Sequence, residues 1–375
     1  MNKVITWCAL AFFAQACGTA LAGEIVVDQI LPTTGPIAPN GQGLLAGGKA
    51  YIDFVNASGG VNGNKIVLNS MDDQYKPEET VRLVQKAIAE HKPIAFMNFT
   101  GAANIELLIK SGDLAKAHVP LIGPRAGGQS LRNPVNPLIF HTYSSYWDEL
   151  ERMVDVFTTM GSTRFAVVYQ DDAFGRDGFE GAQAALKKRN IPLLLAAPYP
   201  RGSVDVAPAG EKILAANPQV VLFCTTAPYA AAFVKRYREK MAGVQFAGFS
   251  AIDSATMVRL AGADLARGFV IAQNMPNPTR LSVRLAREHR DVMAKFAPNV
   301  KPNFYTLGGY ATAKVVVEAL RRAGAQPTRE KFIAALENMR DFDIGGVEYT
   351  FGRQLRMGTT FVELLIINAS GEPQS

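Results

Sequence analysis

The sequence predicts an α/β protein built as two doubly wound parallel-sheet lobes, and three observations carry that expectation. Runs of strand length made largely of Val, Ile, Leu and Phe alternate with amphipathic segments of helix length along most of the chain. Such runs suit strands buried on both faces, the situation of a parallel sheet covered by helices. The alternation restarts after Tyr146, so one set of strands and helices is followed by a second, and 375 residues are more than one hydrophobic core usually serves.

Residues 1–22 stand apart from this pattern. Lys3 precedes an apolar stretch from Val4 to Phe13, and Ala20-Leu21-Ala22 supplies the small-x-small pattern of a signal-peptidase site before Gly23. The apolar stretch is too short for a spanning helix, so a cleavable secretory signal is expected and, with it, a periplasmic location. Removing it leaves 375 − 22 = 353 residues and changes the net charge from 39 − 33 = +6 to 38 − 33 = +5. Cys8 and Cys17 leave with the signal, and Cys224 stays. Ala14-Gln15-Ala16 before Cys17 loosely resembles a lipoprotein cleavage site, but the aliphatic residue usual three positions before the cysteine is missing. Lipid anchoring at Cys17 is the lesser alternative.

In the first set, strands are expected at Glu24–Ile30, Ile66–Ser70, Ile94–Asn98 and Val119–Gly123. Helices are expected near Gly43–Asn56, over Pro77–Glu90 and near Ile105–Ala117. Pro77 suits a first helical turn, and Glu78 and Glu79 suit the positive end of the helix dipole. Ser58-Gly59-Gly60-Val61-Asn62-Gly63-Asn64 reads as a tight helix-to-strand turn. The second set has strands at Phe165–Gln170, Leu193–Ala196, Val220–Cys224 and Phe246–Gly248, with helices at Glu149–Met160, Gly175–Arg189 and Ala230–Ala242. The pattern breaks near Ala272–Pro278, where prolines and asparagines concentrate. Helices Leu281–Phe296, Phe304–Ala323 and Arg329–Asn338 follow, then β-like Val347–Phe351 and Phe361–Ile367.

Several chemistries find no support. His91, His118, His141 and His289 lack metal-ligand spacing, and HExxH, GxSxG and GxxxxGK[ST] are absent. No catalytic residue, metal or cofactor is expected, and the chain does not read as an enzyme. Gly41-Gln42-Gly43-Leu44-Leu45-Ala46 matches a loose dinucleotide fingerprint, but residues 31–40 separate it from its strand, whereas that fold needs a tight turn. Its glycines are better explained by the helix start and close packing. Lone Cys224 within Val220–Cys224 reads as a buried strand residue. Positive charge is scattered without a polybasic block, which together with export argues against nucleic acid.

The loops at the carboxyl ends of strands are of a different kind. Asn98-Phe99-Thr100-Gly101-Ala102-Ala103-Asn104 leaves one strand and opens a helix, and Gly123-Pro124-Arg125-Ala126-Gly127-Gly128 leaves the next. Such loops present backbone N–H groups to an anion, and in an open α/β sheet the ligand crevice lies at these strand ends.

Taken in order, a set of segments resembles the type I periplasmic solute-binding proteins of the branched-chain amino-acid (leucine/isoleucine/valine) family of ABC transporters, over essentially the whole mature chain. The segments are Thr34-Gly35-Pro36 with Gly41–Ala50, Asn56–Gly63, Met71–Pro77, Val119–Pro124, Gln170–Gly175 and Phe361–Leu364. The resemblance implies a hinge-closing fold, two lobes joined by three crossovers near Thr142–Ser145, Gln273–Pro278 and Met357. Lobe one would hold residues 23–143 plus 277–356, and lobe two residues 144–276 plus 357–375. It implies a monomer that binds a small-molecule solute, an amino acid or organic carboxylate, and delivers it to the membrane permease of an ABC transporter. A ligand-sensing receptor of the same fold, acting through a separate regulator, is the alternative.

The family's ligand positions carry over unevenly. Contacts to the ligand α-carboxylate fall around Thr100, Gly101, Ala102 and Ala103, and the next cluster at Arg125, Ala126 and Gly127. The covering aromatic matches Phe174, a first-loop Tyr corresponds to Asn40, and a Tyr after the Val220 strand corresponds to Thr226, beside Thr225. Tyr146 is the expected aromatic contact near the first crossover, where Tyr143 and Trp147 also cluster. The acid that pairs with a ligand ammonium falls at Ser250, and a usual hydroxyl falls at Ala126. Both departures remove groups that favour an α-ammonium, while Arg125 adds one that favours a carboxylate. The ligand is therefore expected to be a carboxylate without the usual amino-acid signature, an aromatic or other organic acid. Asp171 and Asp172 are the candidate substitutes for the lost negative charge, and a helix cap is the plainer reading of at least one.

Overall fold

The computed structural model describes residues 23–374; the expected signal over 1–22 lies outside the described residues. The first sheet begins with β1 (Glu24–Leu31), α1 (Ala38–Ala57), β2 (Lys65–Asp72), α2 (Pro77–Glu90) and β3 (Ala95–Met97). It continues through α3 (Ala102–Ser111), α4 (Asp113–Ala117), β4 (Leu121–Ile122) and β5 (Ile139–Phe140). All five strands run parallel in the order β2-β1-β3-β4-β5. The chain then enters the second unit through α5 (Tyr146–Thr159), β6 (Phe165–Gln170), α6 (Ala173–Lys188), β7 (Leu195–Tyr199) and α7 (Ala207–Ala216). It goes on through β8 (Val220–Cys224), α8 (Ala227–Tyr237), β9 (Gln245–Gly248), α9 (Ser254–Ala261), α10 (Ala263–Ala266) and β10 (Val270–Gln273). Next come α11 (Arg284–Phe296), α12 (Phe304–Ala323), α13 (Arg329–Glu337) and the small hairpin β11 (Phe342–Asp343) and β12 (Glu348–Tyr349). Finally β13 (Glu363–Ile367) and β14 (Pro373–Gln374) join the second sheet, whose order is β14-β13-β10-β9-β8-β6-β7.

The structure refines several expected bounds, each for a local reason. The helix placed near Gly43 starts at Ala38, with Pro39 in its first turn, so only residues 32–37 separate it from β1. The single helix expected near Ile105–Ala117 is two, α3 and α4, divided at Gly112, whose φ of 73° leaves the helical region. The strand expected to stop at Ala196 runs through Pro198, which is tolerated because β7 is an edge strand. The second sheet is not wholly parallel, since β13 and β14 pair antiparallel at its edge. Helix α5 opens at Tyr146, before the expected Glu149, because Ser145 caps it: Asp148 N–H donates to Ser145 Oγ, and Ser145 N–H donates back to Asp148.

Helix α1 packs on α12, β1 and β2, and α12 packs also on β3. β8 is buried at every residue, as its unbroken apolar run requires. Helices α1 and α12 approach closely through glycine: a Cβ on Gly47 would lie 1.8 Å from the carbonyl oxygen of Thr306. Tyr51 and Tyr310 close the same seam edge to face at 4.8 Å, so Tyr310 is core. Gly47→Val is expected to lower stability by about 3 kcal/mol or more in urea unfolding, because the two helices must separate to admit the side chain. A loss below about 1 kcal/mol would contradict this packing.

Candidate functional site

The crevice between the sheets is walled by loops at the carboxyl ends of strands from both. From the first sheet come Asn40 after β1, Tyr75 after β2, Thr100 and Gly101 after β3, and Arg125, Ala126 and Gly127 after β4. From the second come Phe174 after β6, Thr226 after β8, Ser250 and Ala251 after β9, and Asn274 after β10. Tyr143, Ser144 and Tyr146 line it from the first crossover, and Tyr305 from the start of α12. Ile37 completes the wall.

Local structure fixes these groups. The loops after β3 and β4 are stitched together, Arg125 N–H donating to Phe99 O at 2.6 Å and Gly101 N–H to Arg125 O at 3.4 Å. Gly127 lies against the Tyr146 ring, and a Cβ there would stand 2.2 Å from a ring carbon. Tyr146 in turn stacks on Phe249 at 4.5 Å and meets Phe174 edge to face at 5.6 Å. Behind the loop lies Arg132, 6% exposed, which donates to the carbonyls of Ala126, Gly128, Tyr143 and Ser144 at 3.0–3.4 Å. Burial pulls its guanidinium down to about 10, still cationic at neutral pH.

Arg125 is the centre of the electrostatics. Its guanidinium lies over the rings of Tyr143 and Tyr305, 4.7 and 5.3 Å from their centroids. It donates to Asn274 Oδ1 and, at 3.2 Å, to Ser250 O, so it bridges from the first sheet to loops of the second. Tyr305 Oη donates to the same Ser250 carbonyl at 3.3 Å, and the lobes are closed on each other here. Behind Ser250 and Asn274 is Glu149, fully buried in the first turns of α5. Its carboxylate accepts from Ser250 N–H at 2.7 Å, Ser250 Oγ at 2.8 Å and Asn274 Nδ2 at 3.1 Å. This fixes the amide of Asn274 with its oxygen toward Arg125. Two other hydroxyls on the wall, Thr100 Oγ1 and Ser144 Oγ, are buried with no hydrogen-bond partner among the described residues.

Of the residues expected from sequence, Asn40, Thr100, Gly101, Arg125, Ala126, Gly127, Tyr146, Phe174, Thr226 and Ser250 line the crevice. Ala102, Ala103 and Thr225 do not. Ala102 is turned into the core as α3 begins, Ala103 lies on the helix beyond the wall, and Thr225 is wholly buried at the end of β8. Asp171 and Asp172 supply no charge to it either. Asp172 caps α6 by accepting from Gly175 N–H and pairs with Arg201 at 2.5 Å, and Asp171 pairs with Arg176 at 2.8 Å. Trp147 also falls away, packing by Gly181 on α6. Sequence reasoning missed Tyr75, Ser144, Asn274 and Tyr305. The signal nearest to finding one was the polar break at Asn274-Met275-Pro276, read only as a crossover.

Glu149 has a consequence for pH dependence. Burial pushes its carboxyl up to about 7, against the hydrogen bonds from Ser250 and the positive charge of Arg125. A raised carboxyl favours the folded state fully below its ordinary range, and that contribution is lost as pH rises through about 7. Relative to Glu149→Gln, the wild-type protein should therefore lose stability on going from about pH 5 to about pH 7, by at most about 1.4 kcal/mol per pH unit. Asp177, also raised by burial, is present in both proteins and cancels. Urea unfolding at several pH values gives the difference, and a difference that does not change with pH would contradict the assignment.

A family model described as periplasmic binding protein matches residues 24–368. A substrate-binding periplasmic protein from Ralstonia solanacearum is 38% identical, with a TM-score of 0.88 and coverage of 93% of this chain and 99% of that one. The chain is 23% identical over 344 residues to Leu/Ile/Val-binding protein homolog 3 of Brucella melitensis, covering 90% of this chain and 91% of the relative. A branched-chain amino-acid ABC transporter protein from Thermus thermophilus with bound valine shares the fold, at 20% identity and a TM-score of 0.83 over 94% of this chain and 95% of that one.

Proposed function

The chain belongs to the periplasmic binding protein family, type I, in its branched-chain amino-acid branch, and from that premise we propose that it is the periplasmic substrate-binding component of an ABC importer. It holds an amino acid or related small carboxylate between lobes that close on it, and it presents the closed form to a membrane permease. The observation that carries this reading is Arg125, set between two tyrosine rings on the crevice wall beside the unpartnered hydroxyls of Thr100 and Ser144. A guanidinium fork and two hydroxyl donors form a receptor for carboxylate oxygens. The leucine, isoleucine and valine in the names of the relatives share that group.

The proposed lobes are residues 23–143 plus 277–356 and 144–276 plus 357–375. Sheet membership supports this division, with β1–β5 in one sheet and β6–β10, β13 and β14 in the other. A ligand that touches both lobes binds the closed form better and so shifts an open–closed equilibrium. Export through residues 1–22 would place the protein where such a receptor works.

A thermal-shift panel of amino acids, organic acids, neutral sugars and cationic amines tests this reading. Carboxylates are expected to raise the melting temperature, since a ligand at about 100 times its Kd adds about 2.7 kcal/mol to the native state. Stabilisation by sugars or amines with none by any carboxylate would contradict it.

A further inference from the structure

The geometry points to an aromatic carboxylate without an α-ammonium group as the ligand, because the crevice puts a guanidinium among five aromatic rings and lines no wall with a carboxylate. This rests on the carboxylate reading above and narrows it. Among the described residues that line the crevice, Arg125 alone carries a formal charge; no Asp, Glu, Lys or His is on the wall. An α-ammonium needs acceptors, and best a carboxylate, once water is excluded.

Two acceptors next to the charge are already committed. Asn274 Oδ1 and Ser250 O take the Arg125 guanidinium, and Ser250 O also takes Tyr305 Oη. The carboxylate that could have served, Glu149, is off the wall, behind Ser250 and Asn274, with three donors on its two oxygens. An ammonium in the crevice would therefore stand near a like charge with no counter-charge of its own, an arrangement that discriminates strongly against the wrong ligand.

Two hydroxyls that can donate are still unengaged. Thr100 Oγ1 and Ser144 Oγ are 95% and more buried and have no partner among the described residues, and both belong to residues on the wall. They and Arg125 are suited to an anion. The rest of the wall suits a flat apolar body: Tyr75, Tyr143, Tyr146, Phe174 and Tyr305 present rings, and Ile37 is the one large aliphatic residue among them.

Calorimetry with the purified protein and matched pairs tests the inference: 3-phenylpropanoate against L-phenylalanine, and 4-methylpentanoate against L-leucine. Within each pair the apolar body is constant and only the ammonium differs. 3-Phenylpropanoate is expected to bind about tenfold or more tighter than L-phenylalanine, and also tighter than 4-methylpentanoate. Equal or tighter binding of either amino acid than its partner overturns the inference and leaves the carboxylate reading standing. Tighter binding of 4-methylpentanoate than of 3-phenylpropanoate overturns the aromatic part of it. Silence from all four ligands overturns it altogether, while the thermal panel decides the carboxylate reading separately.

Discussion

Arg125→Gln is expected to weaken carboxylate binding by about 100-fold or more, which corresponds to about 2.7 kcal/mol. The guanidinium is the sole formal charge on the crevice wall among the described residues, so nothing beside it replaces the lost attraction. Glutamine keeps a neutral amide NH2 but neither the charged fork nor the ring stacking against Tyr143 and Tyr305. Arg125→Lys should recover only part of the loss, because a point charge makes neither the paired hydrogen bonds nor the same stacking. Folding should be little affected, since Arg125 is only half-buried. Calorimetry on both variants reads the effect, and affinity retained in Arg125→Gln would mean that the carboxylate is held elsewhere.

Arg132→Met is expected to produce the largest loss of stability, about 3–5 kcal/mol. Arg132 is a positioning residue whose guanidinium collects four backbone carbonyls, two from the loop carrying Arg125 and two from the first crossover at Tyr143 and Ser144. Methionine fills much of the space and supplies no donor, so those carbonyls lose their charged partner in a buried place. The loop and the crossover should then loosen together, and ligand affinity should fall along with the melting temperature. Urea unfolding measures the first effect and calorimetry the second. A stability loss below about 1 kcal/mol would remove Arg132 from this role.

The regular elements were legible because their signals are local. α2 begins at Pro77 and ends at Glu90, and β6, β8 and α12 have the bounds that their apolar runs and periodicity suggest. β5 (Ile139–Phe140) and β10 (Val270–Gln273) were not expected, because each leads into a polar or proline-containing crossover that breaks the apolar run. α7 was missed because Ala-Pro-Ala-Gly at its start reads as a loop.

The site divides along the same line. Arg125 and Thr100 are conspicuous because glycine-rich loops after strands expose whatever polar residue they carry. Tyr305 is not, because in the first turn of α12 it reads as one more apolar residue of a core helix. Glu149 is the least legible of all. At the start of an amphipathic helix an acid looks like an ordinary partner of the dipole, and only a contact with Ser250, 101 residues away, makes it a buried group that organises the crevice.

Ligand recognition is expected to turn on one contact, between a ligand carboxylate and Arg125 in the closed crevice. A crystal structure of the protein with the tightest carboxylate of the calorimetric panel observes that contact directly. The expected result places the carboxylate within hydrogen-bonding distance of the Arg125 guanidinium and of the Thr100 or Ser144 hydroxyl, with the body of the ligand among Tyr75, Tyr146, Phe174 and Tyr305. A carboxylate that points away from Arg125, or a ligand bound outside this crevice, would contradict that role of Arg125.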